Sequence, residues 1–305
     1  MWNLTEHVVV TGSLGRVGRA VCAELDAHGI AWRGVDLKAV PIFTPTGAFA
    51  HVKYDLLDYG ATIEALTGAR AVIHAAAIAF PSFESDQKTF VDNTVTSYNV
   101  FSAACLLKLS KVIWLSSEEV YGHPFGHVMP DCVPIDEKHA FKIGNSYSLA
   151  KQVTESAAEF FAKKGNTSFL GIRSTVVQGP DDYKSYPSLR ELPEARMWSL
   201  WSYIDARDLA RACRLALQAD YKGAHVLNVA AADTVVDIPS RELARRYLPN
   251  VPTCWDSSAP PYVSFCDSRQ AARLLGFAPE ISWRKELAGI EASPAPPRTG
   301  SSAPA

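Results

Sequence analysis

TGSLGRVG, residues 11–18, sets glycines at positions 12, 15 and 18 between an apolar run, HVVV (7–10), and a helical pattern, RVGRAVCAELDAHG (16–29) closed by Gly29. A turn from strand into helix accounts for this spacing. Gly12 permits the tight turn, Gly15 lets backbone approach a pyrophosphate, and Gly18 lets helix and strand pack closely. The start of the helix offers unpaired N–H groups and partial positive charge to phosphate oxygens. Asp36 ends the next strand, WRGVD (32–36). A carboxylate there can accept both hydroxyls of an adenosine ribose and repels a 2′-phosphate. The stretch therefore reads as a dinucleotide site for NAD in preference to NADP. Arg16, within the loop, carries a guanidinium that would suit a phosphate, and is read as solvated instead. Asp55, closing the strand HVKYD (51–55), can accept from an adenine amino group or serve as a turn residue.

Outward from this stretch, short β-type runs alternate with helical patterns, which predicts a parallel sheet flanked by helices. AVIHAAA (71–77) is too apolar to alternate, as expected of a strand covered on both faces. FVDNTVTSYNVFSAACLLKL (90–109) reads as a long helix, followed by the strand KVIWLSS (111–117). SYSLAKQVTESAAEFFAKKG (146–165) reads as another helix, with Asn145 as N-cap and Gly165 as its stop. FLGIRSTVV (169–177) and HVLNVA (225–230) supply further strands, and helices are expected in DIPSRELARRYL (237–248) and CDSRQAARLLGF (266–277). The fold class is α/β, a doubly wound parallel Rossmann sheet with a small C-terminal substrate lobe. Residues 1–176, completed by 203–230, are expected to form the dinucleotide-binding domain, and 177–202 with 231–292 the lobe. SPAPPRTGSSAPA (293–305) reads as a disordered tail.

Composition excludes several classes. The 305 residues carry a formal net charge of −2, so no broad attraction to nucleic acid or to an acidic membrane is expected. The apolar stretches are too short to span a bilayer. VVVTG begins within a few residues of Met1, leaving no room for a signal peptide. Six cysteines (Cys22, Cys105, Cys132, Cys213, Cys254, Cys266) are widely spaced with no C-x-x-C pair, and read as reduced thiols. These features point to the cytoplasm. His123 and His127 in GHPFGH (122–127) look like paired ligands, but Pro124 and Gly126 argue against a helix, and no cysteine or helical acid completes a set. No metal is expected.

YSLAK (147–151) places Tyr147 and Lys151 four apart, on one helix face and about 6 Å apart along the axis. A free phenol ionises near pH 10, and a neighbouring ammonium favours phenolate. Such a phenol can take a proton from an alcohol as hydride leaves for a nicotinamide. The plain alternative is an exposed lysine beside a half-buried tyrosine. SSEEVYG (116–122) lies at the mouth of the strand 111–117. Ser117, at the C-terminal edge of a parallel strand, faces the crevice where ligands bind. Ser116 points to the other side and reads as structural. If the segment stays extended, Ser117 and Glu119 share a face.

TGSLGRVG, Asp36, HAAA (74–77), Asn93, SSEEVYG, YSLAK, YIDARDLA (203–210) and DSRQAARLLGFAP (267–279) occur in the order found in extended short-chain dehydrogenase/reductases. The chain resembles the NAD-dependent epimerase/dehydratase group of that superfamily along nearly its whole length. The resemblance implies an NAD-using enzyme with Ser117, Tyr147 and Lys151 as catalytic residues and Asn93 aiding a water-linked proton path. It implies that Gly12, Gly15, Arg16, Gly18, Asp36, Asp55, Leu56, Ala75, Ala76, Ala77, Tyr147 and Lys151 bind the cofactor. A homodimer built through the two long helices is implied as well. Glu119 falls where nucleotide-sugar dehydratases carry an acid, and a carboxylate there can remove a sugar C–H proton or be a mere tolerated residue.

Only 30 positions separate Arg173 from Tyr203, fewer than in nucleotide-sugar epimerases, and Val176 stands where those enzymes usually carry asparagine. The shorter segment implies a smaller ligand. In this the chain is similar to the uronate dehydrogenase branch, whose Ala-Arg-Met…Trp…Asp segment resembles ARMWSLWSYID (195–205). The resemblance makes Arg196 the candidate clamp for a substrate carboxylate, by bidentate pairing. Two departures set this chain apart: Glu118 replaces an asparagine of that branch, and Ala79 stands near its substrate-binding serine. An acid beside a uronate would repel it. Trp198, Trp201 and Tyr203 can stack on a sugar face or pack in the core. The expected function is NAD-linked oxidation of a hydroxyl on a small carbohydrate-like molecule: a sugar, a sugar acid or a related alcohol. The alternatives are an epimerase or dehydratase that reduces NAD transiently, and an NAD-sensing protein without catalysis.

Overall fold

The computed structural model describes residues 7–292 apart from 39–41, 44–48, 81–82, 123, 126–127 and 191. The expected tail and the His123/His127 pair lie outside the described residues. The chain runs β1 (His7–Thr11), α1 (Arg16–Ala27), β2 (Trp32–Val35), β3 (Ile42–Phe43), β4 (Phe49–Val52), α2 (Tyr59–Leu66), β5 (Ala69–His74), α3 (Asp86–Leu106) and β6 (Lys111–Ser117). It continues with α4 (Ser146–Ala162), β7 (Ser168–Ser174), β8 (Val177–Gln178), α5 (Pro180–Tyr183), β9 (Ile204–Asp205), α6 (Ala206–Gln218), β10 (Ala224–Val229), α7 (Ser240–Tyr247), α8 (Arg269–Leu275) and α9 (Trp283–Ala292).

Eight strands form one sheet in the order β10-β7-β6-β5-β1-β2-β4-β3. All its pairings are parallel except β3 on β4. The order reverses between β1 and β5, and a doubly wound sheet opens its ligand crevice at that switch. Val8, Val9 and Val10 are fully buried, because helices cover both faces of the sheet. On one face, Val21 and Leu25 of α1, Leu209 and Cys213 of α6 and Leu275 of α8 pack against Val8, Val10 and Ile73. On the other, Leu66 of α2, Phe101 and Ala104 of α3 and Phe161 of α4 pack against Val9, Val72 and Trp114. Each fully buried large apolar side chain contributes roughly 1.5–3 kcal/mol. A third cluster, away from the sheet, gathers Tyr183, Tyr186, Trp201, Tyr203, Phe265 and Trp283.

Several boundaries move from their expected places. The strand expected at 51–55 lies at Phe49–Val52, because Asp55 opens a turn in which its carboxylate accepts the Leu57 N–H at 2.9 Å. The strand expected at 71–77 stops at His74, leaving Ala75–Ala77 as a loop over the sheet edge. The expected 169–177 strand splits, and its last residues pair with β9 in a separate two-stranded ladder. Asn145 does cap α4, with Ser148 completing a capping box. Gly165 does not stop that helix; α4 ends at Ala162 with Lys163 as C-cap. The helix of α1 is closed as expected, with Gly29 at φ +63°.

Candidate active site

One cavity of about 1060 Å³ runs along the C-terminal edge of the sheet, and it gathers residues from Gly12 to Trp198. Its first wall is the glycine loop. Gly12 takes φ +64°, and a Cβ there would lie 2.7 Å from the Ala76 backbone. A Cβ at Gly18 would lie 2.1 Å from the Gly12 carbonyl, so helix and turn meet only through glycine. Gly15 caps α1 without a side-chain hydrogen bond, which leaves its first-turn N–H groups to the cavity. Leu14, Gly15, Arg16, Val17 and Gly18 line the wall.

The adenosine end expected from sequence lies in the same cavity. Asp36 accepts the Leu14 N–H at 3.1 Å through one oxygen and the Lys38 N–H at 2.9 Å through the other. Those bonds fix the carboxylate, and each oxygen keeps a lone pair for a ribose hydroxyl. Asp55, Leu56, Ala75, Ala76 and Ala77 line the cavity beside it. Arg16 keeps the exposure expected of a solvated side chain, at 51%, yet it is also paired. Its guanidinium donates to Asp182 at 2.5 Å and to the Val177 carbonyl at 3.0 Å, because the strap β8–α5 passes within reach of the loop. A buried relay that the sequence reading passed over supports this end. Thr11 Oγ1 meets His74 Nδ1 at 2.7 Å and accepts the Ala76 N–H, while His74 Nε2 meets Ser97 at 3.2 Å. Burial, with Lys151 nearby, lowers His74 to about 3, so the ring stays neutral and can hold two partners.

At the other end stand Ser117, Tyr147 and Lys151. β6 ends at Ser117, and α4 places Tyr147 and Lys151 one turn apart. The Lys151 ammonium lies 5.3 Å from the Tyr147 ring centre and donates to the Leu115 carbonyl at 2.7 Å. Burial lowers Lys151 to about 8, against the pull of Glu119 and Glu155. Burial raises the Tyr147 phenol, Glu119 raises it further, and a hydrogen bond with Ser117 acts the other way. Burial thus outweighs the lowering that a neighbouring ammonium alone would bring, and the Lys151 ammonium is held toward the β6 backbone.

SSEEVYG does not stay extended. Residues Glu118–Tyr121 form a 3-10 turn, and Ser117 caps it by accepting the Glu119 N–H at 3.2 Å. Two-residue periodicity therefore fails as the reason for joining Ser117 and Glu119, yet both still line the cavity. Glu119 accepts from the Asn145 side chain at 3.0 Å. Burial raises its carboxyl, with Asn145 and Lys151 opposing. Glu118 lines the cavity too, and burial followed by Glu119 holds it well above the usual carboxylate range. Ser116 turns away and donates to Glu155 at 2.5 Å, as its opposite orientation predicts. Asn93 clasps the backbone of Ile78, accepting its N–H at 2.7 Å and donating to its carbonyl at 3.0 Å.

Arg196 is not among the described residues that line the cavity. Its guanidinium lies 5.4 Å from the Trp198 ring and 5.8 Å from Tyr186, with Nε and Nη2 buried and without a hydrogen-bond partner. The aromatic trio divides: Trp198 lines the cavity, whereas Trp201 and Tyr203 are fully buried in the third cluster. Phe80 and Phe83, which the sequence reading did not select, line the mouth with ring centres 5.7 Å apart. Asp182 was missed as well; the run GPDD after the shortened strand was its one visible sign. No cluster of three or more metal-ligating side chains occurs among the described residues, and no helix among them is long and apolar enough to cross a membrane.

The model of the NAD dependent epimerase/dehydratase family matches residues 8–230. The UDP-glucose 4-epimerase of Rhizobium meliloti is 25% identical over 185 residues, covering 56% of this chain and 50% of that protein. The chain spans about half the length of the first curated relatives it matches. A short-chain dehydrogenase/reductase superfamily protein from Agrobacterium tumefaciens, solved with bound NAD, superposes with a TM-score of 0.70 at 21% identity, covering 93% of this chain and 95% of that one. The uronate dehydrogenase of Agrobacterium tumefaciens superposes with a TM-score of 0.66 at 18% identity, covering 96% and 92%. At such identities the structures establish a shared fold.

Proposed function

Because the chain belongs to the NAD dependent epimerase/dehydratase family, we propose that it oxidises a hydroxyl of a small sugar, sugar acid or related alcohol, with Tyr147 as the acid–base group. The observation carrying this reading is the meeting of Ser117, Tyr147 and Lys151 in the cavity that the glycine loop opens. The residues present fit the dinucleotide. The cradle at Gly12 and Gly18 leaves no room for a Cβ, the α1 N–H groups open into the cavity, and Asp36 is fixed at its far end.

Gly12, Gly15 and Gly18 would admit the pyrophosphate, Asp36 the adenosine ribose, and Lys151 the second ribose. Bound NAD supplies a hydride acceptor. Ser117 orients the substrate oxygen by hydrogen bonding, and Tyr147 takes the hydroxyl proton as the C–H bond breaks. To accept it Tyr147 starts as the phenolate and ends as the phenol, and the Lys151 ammonium, 5.3 Å from its ring centre, favours that starting form. Asn93 holds the Ile78 loop against the cavity. Trp198, Phe80 and Phe83 offer apolar faces to a sugar ring. The lobe carrying Trp198 and the β8–α5 strap forms the substrate side.

A second reading has one specific observation in its favour. Glu119 lines the cavity with a raised carboxyl and faces the same space as Tyr147, so it can remove a C–H proton in an epimerisation or dehydration that returns the hydride. One assay separates the two. Purified protein with NAD is offered free aldoses, uronates and nucleotide sugars. NADH accumulating at 340 nm in step with product supports oxidation. Product formed with no rise in absorbance sinks it in favour of the second reading.

A further inference from the structure

An ion pair joins two walls of the cavity that lie 166 positions apart in sequence. Arg16 opens α1 on the glycine-loop side, and Asp182 belongs to α5 in the strap that follows β7. Arg16 Nη1 lies 2.5 Å from Asp182 Oδ2 and Nη2 lies 3.4 Å from Oδ1, while Nη1 also reaches the Val177 carbonyl at 3.0 Å. Asp182 is held by its own turn as well, since its Oδ2 also accepts the Gly179 N–H at 2.8 Å.

The strap is anchored on its inner side. Tyr183, the next residue, is fully buried and donates to Asp205 at 2.6 Å, and Val177 pairs with Ile204 across the β8–β9 ladder. Its outer side reaches the glycine loop through Arg16. Val176, Val177, Gln178 and Asp182 line the same cavity as Gly12, Gly15 and Gly18. A dinucleotide lying on that loop would have the strap beside it and the ion pair across it. The two side chains are 51% and 30% exposed. A pair so open to water is too weak to hold the fold together, but strong enough to change how long a ligand stays.

We infer that the Arg16–Asp182 ion pair is a latch over the bound dinucleotide, which opens when the cofactor enters or leaves. Asp182 is thus a positioning residue for NAD. The inference rests on the cavity being the NAD site, and needs no particular substrate.

The test follows NADH alone. The full chain is titrated with NADH by its fluorescence, and release is then timed by stopped-flow chase with excess NAD. Asp182→Asn keeps an oxygen for the Gly179 N–H, and Arg16→Gln removes the charge from the other wall. Each is expected to speed release about fivefold, with no further gain in the double variant. Release from the unmodified protein should quicken as salt is raised, and both variants should lose that dependence. Unchanged or slower release from Asp182→Asn, or salt dependence that survives in both variants, overturns the latch alone. Failure of the unmodified protein to bind NADH would overturn the NAD reading of the cavity and the latch with it.

Discussion

At Lys151 the fold keeps an ammonium group out of water, and that choice can be read in stability as well as in catalysis. Burial lowers Lys151 to about 8 from the 10.5 of the free side chain. Between those values the unfolded chain binds more protons than the folded one, so stability rises with pH across that window. Below it the folded protein carries the whole cost of a buried cation. Lys151→Met is therefore expected to raise stability near pH 7 by about 2 kcal/mol in urea unfolding, and to keep less of that advantage near pH 10. The same change should abolish turnover. Tyr147 makes a cleaner probe of the chemistry, because its hydroxyl is the group proposed to exchange a proton. Tyr147→Phe should lower kcat by about a hundredfold to ten-thousandfold while NADH affinity stays within about twofold. A variant with full kcat would remove Tyr147 from the mechanism.

Among the elements, α4 matters most, because it carries both Tyr147 and Lys151. One turn beyond Lys151, Glu155 fastens the helix to β7 through a two-pronged pair with Arg173, at 2.9 and 2.7 Å. Both side chains are only 6% exposed. The contact extends in both directions: Ser116 of β6 donates to Glu155, and Arg173 donates to Tyr121, which donates to Asn228 of β10. The VYG turn, three strands and α4 are thereby tied by one polar chain. Glu155→Ala would leave the Arg173 guanidinium buried and unpaired. Unfolding in urea should show a loss of about 3–5 kcal/mol, far more than an exposed pair would give. A loss below about 1 kcal/mol would mean that the pair is not holding α4 in place.

For the molecule as a whole, binding and assembly are the measurable consequences. NAD at a hundred times its Kd should add about 2.7 kcal/mol, seen as a rise of about 5 °C in melting temperature. NADP at equal concentration should give a smaller rise, because Asp36 faces the position of its extra phosphate. Equal shifts would remove Asp36 from cofactor choice. The homodimer implied by resemblance has a surface available to it. Val91, Tyr98 and Leu106 on α3, and Leu149 and Phe160 on α4, are exposed apolar residues on the two long helices. Sedimentation should find two chains together, and Tyr98→Glu combined with Phe160→Glu should separate them. A single chain sedimenting alone at micromolar concentration would end that expectation.

Local patterns in the chain were enough for the sheet class, the glycine turn with Asp36, the N-cap at Asn145 and the pairing of Tyr147 with Lys151, because turn geometry, capping and helical spacing act within a few residues. α2, α6 and α9 were not singled out by those patterns. Only folding revealed that Arg16 is bound by Asp182, that Arg196 lies against the Trp198 ring, and that the 3-10 turn after Ser117 sets the place of Glu119. It also set the direction of the Tyr147 and Lys151 shifts. Those outcomes depend on burial and on partners brought from distant parts of the chain, and neither is written in the spacing of neighbouring residues.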